Sequence, residues 1–354
     1  MADQTTVVVS DLHMDVWEES EGAEVAEAKR HRLQEFFDWI LEVRPYRFVI
    51  AGDLLDVPER TEGSLVATCA STVQALYQMT RAGIKVGYVV GNHDCGLIGL
   101  AASLPSPPVR IDYPCMLIDC DGRTVLIEHG HLHDPWLWDY VRQHARDMWV
   151  REVRPPQVYH LQDAAPAPEE GPADEADLLG ELHRSLQADR EQRLADDEAR
   201  AGLLEIMRTE LETDYGDVMD AEARAQWQAD RSRLLQGLKR VGGGEPGRLS
   251  VAPSDAADVE ELGVELLRHL YVGPHWRRSA RRRVEAFANA ADPVEVSGVI
   301  MGHTHHADRA DLGGFWYANV GTWRDDGGGI VVIKGGDVIF DPRRRWDDPW
   351  PEIS

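Results

Sequence analysis

Hydrophobic positions in the first hundred residues alternate between short β-branched runs and longer stretches of helical spacing. Thr5 to Ser10 is β-branched and apolar, and it stops at the polar cluster Asp11-Leu12-His13-Met14-Asp15, which predicts a strand feeding a loop. From Glu24 to Val43 the residues Leu33, Phe36, Phe37, Ile40 and Leu41 fall on one stripe and Pro45 follows, so the spacing predicts an amphipathic helix. Phe48-Val49-Ile50-Ala51 reads as the next strand and ends at Gly52-Asp53-Leu54-Leu55-Asp56. A second helix is predicted from Ser64 to Arg81, closed by Gly83, and then a third strand, Ile84 to Val90, ending at Gly91-Asn92-His93-Asp94. Strand and helix in alternation predict right-handed crossovers and at least part of a parallel sheet.

The pattern then changes. Cys115 to Asp119 and Arg123 to Glu128 flank Cys120-Asp121-Gly122, an Asp-Gly hairpin signal, and the second strand runs into His129-Gly130-His131. Near the far end, the apolar run Val296 to Met301 reads as a buried strand leading into Gly302-His303-Thr304-His305. Phe315 to Ala318, Gly329 to Ile333 and Val338 to Phe340 read as further strands, with Gly335-Gly336 at a turn, so the two ends of the chain are expected to supply two sheets.

Between His133 and Pro293 the chain looks helical. An aromatic-rich helix begins at Trp136, a Pro, Ala and Glu-rich linker covers Pro155 to Pro172, and Asp174 to Val241 carries leucines at helical spacing, as in Leu178, Leu182 and Leu186. This stretch predicts an α-hairpin or short coiled coil, broken at Gly242-Gly243-Gly244; two more helices, Val259 to Tyr271 and His275 to Ala290, lead back to the last sheet. The expected organisation is an α/β core of residues 1–134 and 293–354, two mixed sheets flanked by helices, with a helical insertion of residues 135–292 and linkers near 155–173 and 242–258.

Charge and composition narrow the function. With 62 acidic against 37 basic residues the formal net charge is -25, a field that disfavours nucleic acid as a partner. No run approaches the roughly 20 apolar residues of a membrane span, and Met1 to Thr6 has no basic or long apolar leader, so a cytoplasmic protein is expected. Cys69, Cys95, Cys115 and Cys120 show neither zinc-ribbon nor Cys-x-x-Cys spacing. The coiled-coil character of the insertion predicts self-association.

Five of these strand-to-loop junctions, after Val9, Ala51, Val90, Glu128 and Met301, carry His, Asp or Asn. In chain order the candidate ligands are Asp11, His13, Asp53, Asn92, His129, His303 and His305. Carboxylates, imidazoles and an amide together suit two borderline-hard divalent ions, with manganese first and iron, nickel, zinc or magnesium as alternatives. Taken singly, His13 or His129 reads as an ordinary satisfied histidine, and Asp53 or Asp56 as a turn or cap residue. Taken together, Asp11-x-His13, Gly52-Asp53-x-x-Asp56, Gly91-Asn92-His93-Asp94, His129-Gly130-His131 and Gly302-His303-Thr304-His305 resemble, in order, the motif series of the calcineurin-like metallophosphoesterases.

That resemblance implies one ion on Asp11, His13, Asp53 and His305 and a second on Asp53, Asn92, His129 and His303. It makes His93 a general acid or phosphate-orienting residue whose ring Asp56 fixes, with Asp94 contributing nearby. His131 is a near-site residue able to touch substrate, the loop Asn319-Val320-Gly321-Thr322-Trp323 backs the last histidines by support and packing, and Asp15 and His306 are read as surface positions or neighbours of the ligands rather than ligands. Arg277, Arg278, Arg281, Arg282 and Arg283 form a basic helix face, read either as a solvated face pairing with the insertion's acids or, through Arg278 and Arg282, as an anion-binding rim. The implied chemistry is hydrolysis of a phosphoester or pyrophosphate bond in a small molecule by a metal-bridging hydroxide.

Val57-Pro58 after Asp56 departs from the Arg-Gly of Ser/Thr protein phosphatases. Ser10-Asp11-Leu12-His13 and Gly302-His303-Thr304-His305-His306 look closer to bacterial enzymes of the UDP-diacylglucosamine pyrophosphatase kind. A nuclease or nucleotide phosphodiesterase of the same fold, and a non-catalytic scaffold that binds partners through the insertion, are the alternatives.

Overall fold

The structure is a computed structural model that describes residues 4–14, 23–55, 62–94, 109–134, 159–160, 273–323, 328–342 and 350–351, with scattered positions between 211 and 232. The helix from Trp136, most of the linkers and of the helical hairpin, the helix Val259 to Tyr271, and Asp15, Asp56 and Cys95 lie outside the described residues. Two compact units are present, residues 1–180 with 280–354, and residues 181–279.

The first unit is built on two sheets. Its elements are β1 (Thr6–Val9), α1 (Ala23–Val43), β2 (Arg47–Ala51), α2 (Glu62–Arg81), β3 (Lys85–Val89), β4 (Arg110–Tyr113), β5 (Cys115–Cys120), β6 (Arg123–Glu128) and β7 (Tyr159–His160). The helix α3 (Pro274–Ala288) precedes β8 (Val296–Met301), β9 (Asp308–Asp311), β10 (Trp316–Asn319), β11 (Gly329–Lys334) and β12 (Asp337–Pro342). A seven-stranded sheet runs β12-β11-β1-β2-β3-β4-β7 and a five-stranded sheet runs β5-β6-β8-β10-β9. Strands β1 to β4 are mutually parallel, as are β6, β8 and β10, while β5, β7, β9, β11 and β12 pair antiparallel. Both sheets are therefore mixed. Each also draws on both ends of the chain, because β11 and β12 add to the edge of β1 while β8 to β10 add to β6.

Side-chain alternation explains the layering. Val7, Val9, Phe48 and Ile50 face Leu33, Phe36, Phe37 and Ile40 of α1 and Leu76 and Met79 of α2. The intervening Val8, Val49 and Ala51 point the other way, into a core with Met116, Ile118, Val125, Ile127, Ile300 and Ala318 between the sheets. Strands covered on both faces read as unbroken apolar runs, the signal seen in the sequence. The expected hairpin is present: β5 and β6 are joined by Asp121 and Gly122, with φ of 55° and 79°, a pair of positive angles suited to a tight two-residue turn.

Helix α3 corrects one expectation. Arg283 is neither a solvated residue nor part of an anion rim: its Nε donates to Glu128 Oε2 at 3.0 Å and it is only 7% exposed. It shares a helix face with Ala280 and Phe287, three residues back and four ahead, and that face is buried. Arg281 donates to the Leu312 carbonyl, and Arg282 is exposed. In the second unit, Arg278 lies over the Tyr215 ring, which also meets Trp227 edge-on. No helix among the described residues is long and apolar enough to cross a membrane.

Candidate metal centre

Parallel strands place their carboxyl ends at one rim, and ligands of open α/β sheets gather there. The loops leaving β1, β2, β3, β6 and β8 carry Asp11 and His13, Asp53, Asn92, His129, and His303 and His305. They are laced together. The Asp11 and His13 amides donate to the carbonyls of Gly52 and Asp53, extending the β1–β2 ladder, and the Gly302 amide donates to the His129 carbonyl.

Two triads result, Asp11 with His13 and His305, and Asp53 with His129 and His303. His13 Nε2 lies 3.1 Å from His305 Nε2, and His305 Nε2 lies 3.4 Å from Asp11 Oδ1. In the second triad His129 Nε2 is 3.0 Å from Asp53 Oδ2 and 3.0 Å from Asn92 Oδ1, and Asn92 Oδ1 is 3.1 Å from His303 Nδ1. Asp53 Oδ2 is also 3.8 Å from His13 Nε2, so one carboxylate oxygen stands between the triads. Asn92 completes the second group.

The backbone is held in an uncommon form to achieve this. Of the seven described non-glycine residues with left-handed φ, five are candidate ligands: Asp11, His13, Asp53, His303 and His305. Each such residue costs on the order of 1–3 kcal/mol, and strain of this kind gathers at functional sites. Gly302 is required by close approach, since a Cβ there would lie 1.9 Å from Ser10 Oγ and 2.3 Å from Asp11 Oδ2. The His303 amide donates to both carboxylate oxygens of Asp11, at 3.1 and 2.9 Å.

The electrostatics favour a cation. Asp11, His13, Asp53 and His129 are at most 1% exposed, whereas Asn92, His93, His303 and His305 are half-buried. Burial raises the Asp11 and Asp53 carboxyls, yet the neighbouring His129 and the other imidazoles prevail and hold both well below the usual carboxylate range. Burial opposes charge on His129, but Asp53 and Asp11 push it up to about 9. Carboxylates that hold an extra proton on an imidazole this firmly would hold a metal cation in its place. The His129 Nδ1–H donates to the Ala51 carbonyl at 2.9 Å, which leaves Nε2 for a ligand. Four imidazoles, two carboxylates and an amide oxygen, with no thiolate among them, fit a pair of divalent ions.

The other expected residues sort as follows. His93 donates its amide to Asp53 Oδ1 at 3.0 Å, and its ring sits edge-on to His13 with centroids 5.1 Å apart. Asp94 is fully buried behind the loops: its carboxylate accepts from the Leu54 and Gly91 amides and from the Tyr88 hydroxyl, and burial with the nearby Asp53 pushes it up to about 7. His131 packs 5.4 Å from the His129 ring, and burial followed by the charges of His129 and His303 keeps it neutral. Asn319 holds the Gly302 carbonyl through Nδ2 at 2.8 Å.

From the loop Asn319 to Trp323, Thr322 Oγ1 and the Trp323 amide both donate to the Asp11 carbonyl. One contributor was not anticipated: Asp134 Oδ2 lies 2.9 Å from His303 Nε2. Nothing in the run His131-Leu132-His133-Asp134 distinguishes Asp134 from a turn residue.

Comparison with solved structures finds a predicted phosphoesterase from Streptococcus pneumoniae at 11% identity, covering 96% of this chain and 90% of that one, with a TM-score of 0.28. A dimetal phosphatase from Danio rerio is also 11% identical, over 96% and 95% of the two chains, with a TM-score of 0.38. Neither superposition is close enough to inform the activity of this chain. No curated protein matches it. A family model described as calcineurin-like phosphoesterase matches residues 5–201, more than half of the chain. A match of that length, running through the loops that carry Asp11, Asp53, Asn92 and His129, makes this chain a member of the calcineurin-like phosphoesterase family.

Proposed function

We propose that the protein hydrolyses a phosphoester or pyrophosphate bond in a small molecule, using two divalent ions, of which manganese suits the donor set best. The observation that carries this reading is the position of Asp53 Oδ2, 3.0 Å from His129 Nε2 and 3.8 Å from His13 Nε2, a carboxylate shared by two triads. Asp11, His13, Asp53 and His305 would hold one ion and Asp53, Asn92, His129 and His303 the other. When bound, such a pair acts as a Lewis acid toward phosphoryl oxygens and lowers the pKa of water. His93, beside His13 and tied to Asp53, would protonate the leaving oxygen, with Asp56 orienting its ring. Asn92, His93 and His305 are half-buried and would meet the entering substrate.

The finer reading is a pyrophosphate-linked substrate of the kind cleaved by bacterial UDP-diacylglucosamine pyrophosphatases, supported by Ser10-Asp11-Leu12-His13 and Gly302-His303-Thr304-His305-His306. Residues 135–292 would then be the insertion that shapes substrate entry and self-association. The test is turnover by manganese-loaded protein on a panel of an aryl phosphate, a bis-aryl phosphate and a nucleoside diphosphate-linked sugar. Hydrolysis of the sugar adduct alone supports the finer reading. Hydrolysis of none of the three overturns the proposal.

A further inference from the structure

We infer that Asp134 is a positioning residue for the second metal site, orienting the His303 ring so that Nδ1 faces the ion. The inference rests on the dinuclear reading above.

His303 has two ring nitrogens with separate partners. Nε2 lies 2.9 Å from Asp134 Oδ2, and Nδ1 lies 3.1 Å from Asn92 Oδ1. A carboxylate oxygen accepts, so the proton sits on Nε2 and the Nδ1 lone pair is directed at the second triad. Carboxylates that take up the outer N–H of a metal-binding imidazole fix its ring plane and raise the basicity of its donor nitrogen. His129 is oriented the same way, through Nδ1 and the Ala51 carbonyl. Its acceptor is a neutral backbone group, whereas that of His303 is an acidic side chain, 2% exposed, from a loop distant in sequence.

Asp134 is held in place rather than resting there. The segment after β6 turns at Gly130, φ 106°, into a single 3₁₀ turn, His131–His133, in which the His133 amide donates to the Gly130 carbonyl and the Asp134 amide to that of His131. Glu128 closes the segment on itself. Its Oε1 accepts from His133 Nε2 at 2.9 Å, and its Oε2 accepts from Arg283 Nε at 3.0 Å. The residue before His129 thus grips the residue before Asp134, and a buried guanidinium anchors the grip. A loop whose two ends meet a candidate ligand and that ligand's neighbour across the site is built to set ring geometry.

The experiment compares the full-length wild type with Asp134→Asn, which keeps side-chain shape and removes the charge. Stepwise Mn²⁺ binding would be followed by calorimetry and by electron paramagnetic resonance of the bound ions. The ring nitrogens of His303 would be read by ¹⁵N NMR of metal-free wild type, assigned by loss of the signal in His303→Gln. Two equivalents are expected in wild type, with the second weakened about 10–100-fold in Asp134→Asn and the first unchanged. The His303 proton is expected on Nε2. A proton on Nδ1, or two equivalents bound by Asp134→Asn as tightly as by wild type, would overturn this inference alone. A wild type that takes up no manganese would overturn the dinuclear reading together with it.

Discussion

Asp53 Oδ2 and His129 Nε2 face each other at 3.0 Å in a setting where each side chain is at most 1% exposed. Neither group would be buried so completely without its partner, since an unpaired charge in such a place costs several kcal/mol. Because the same oxygen also faces His13, Asp53→Ala should remove both ions, not one. Metal analysis of the purified variant should find less than one equivalent, with turnover on an aryl phosphate lost. In wild type, chelator should lower the unfolding temperature: ligand at 100 times its Kd contributes about 2.7 kcal/mol. Two full equivalents in Asp53→Ala would refute the sharing of this carboxylate.

Gly302 tests the fit of the loops. The extra carbon of Gly302→Ala would fall 1.9 Å from Ser10 Oγ, so the β8 loop must move away from Asp11. The variant is expected to fold, with its core strands intact by circular dichroism, and to bind the first ion at least 10-fold more weakly, on the order of a misplaced outer-shell group. Unchanged affinity would show that the close approach is not required.

The buried pair of Arg283 and Glu128 makes a stability prediction. Arg283→Met leaves a carboxylate, itself 3% exposed, without its guanidinium, which should cost about 3–5 kcal/mol in denaturant unfolding. Pairing the change with Glu128→Leu should recover a substantial part of that loss, because two apolar residues of similar volume replace the ion pair. A double variant no more stable than Arg283→Met would mean that the pair contributes through geometry rather than charge compensation.

Cys115 should be inert in the native protein. It is fully buried, and burial, opposed by the nearby Arg283, pushes its thiol up from 9.0 to about 12. Alkylation at pH 8.5 should label it only after denaturant is added. The sign of the linked stability follows: the folded state keeps a proton that the unfolded state releases above pH 9, so this contribution is complete below 9 and is lost as the pH rises toward about 12. Rapid native labelling of Cys115 would contradict its placement between β6 and α3.

Much of the site could be read before any coordinates because its signals are local. A buried strand shows as an apolar run, and a ligand must follow it within two or three residues to reach the shared rim, as Asp11 follows Val9 and Asn92 follows Val89. The hairpin at Asp121-Gly122 and the helix carrying Phe36 and Ile40 were legible for the same reason: turn chemistry and helical period each involve only neighbours. The strands that went unseen are polar or very short. β9 reads Asp-Arg-Ala-Asp, an exposed edge whose pairing with β10 supplies what its side chains do not.

What surrounds the ligands was decided only by the tertiary fold. Arg283 meets Glu128 across 155 residues and Asp134 meets His303 across 169, and neither pair leaves a periodic trace in the chain. An isolated Arg or Asp carries the same composition signal whether it is solvated or buried. Which of these it becomes depends on the register of strands brought together from opposite ends of the sequence, and that register is a property of packing rather than of any one segment.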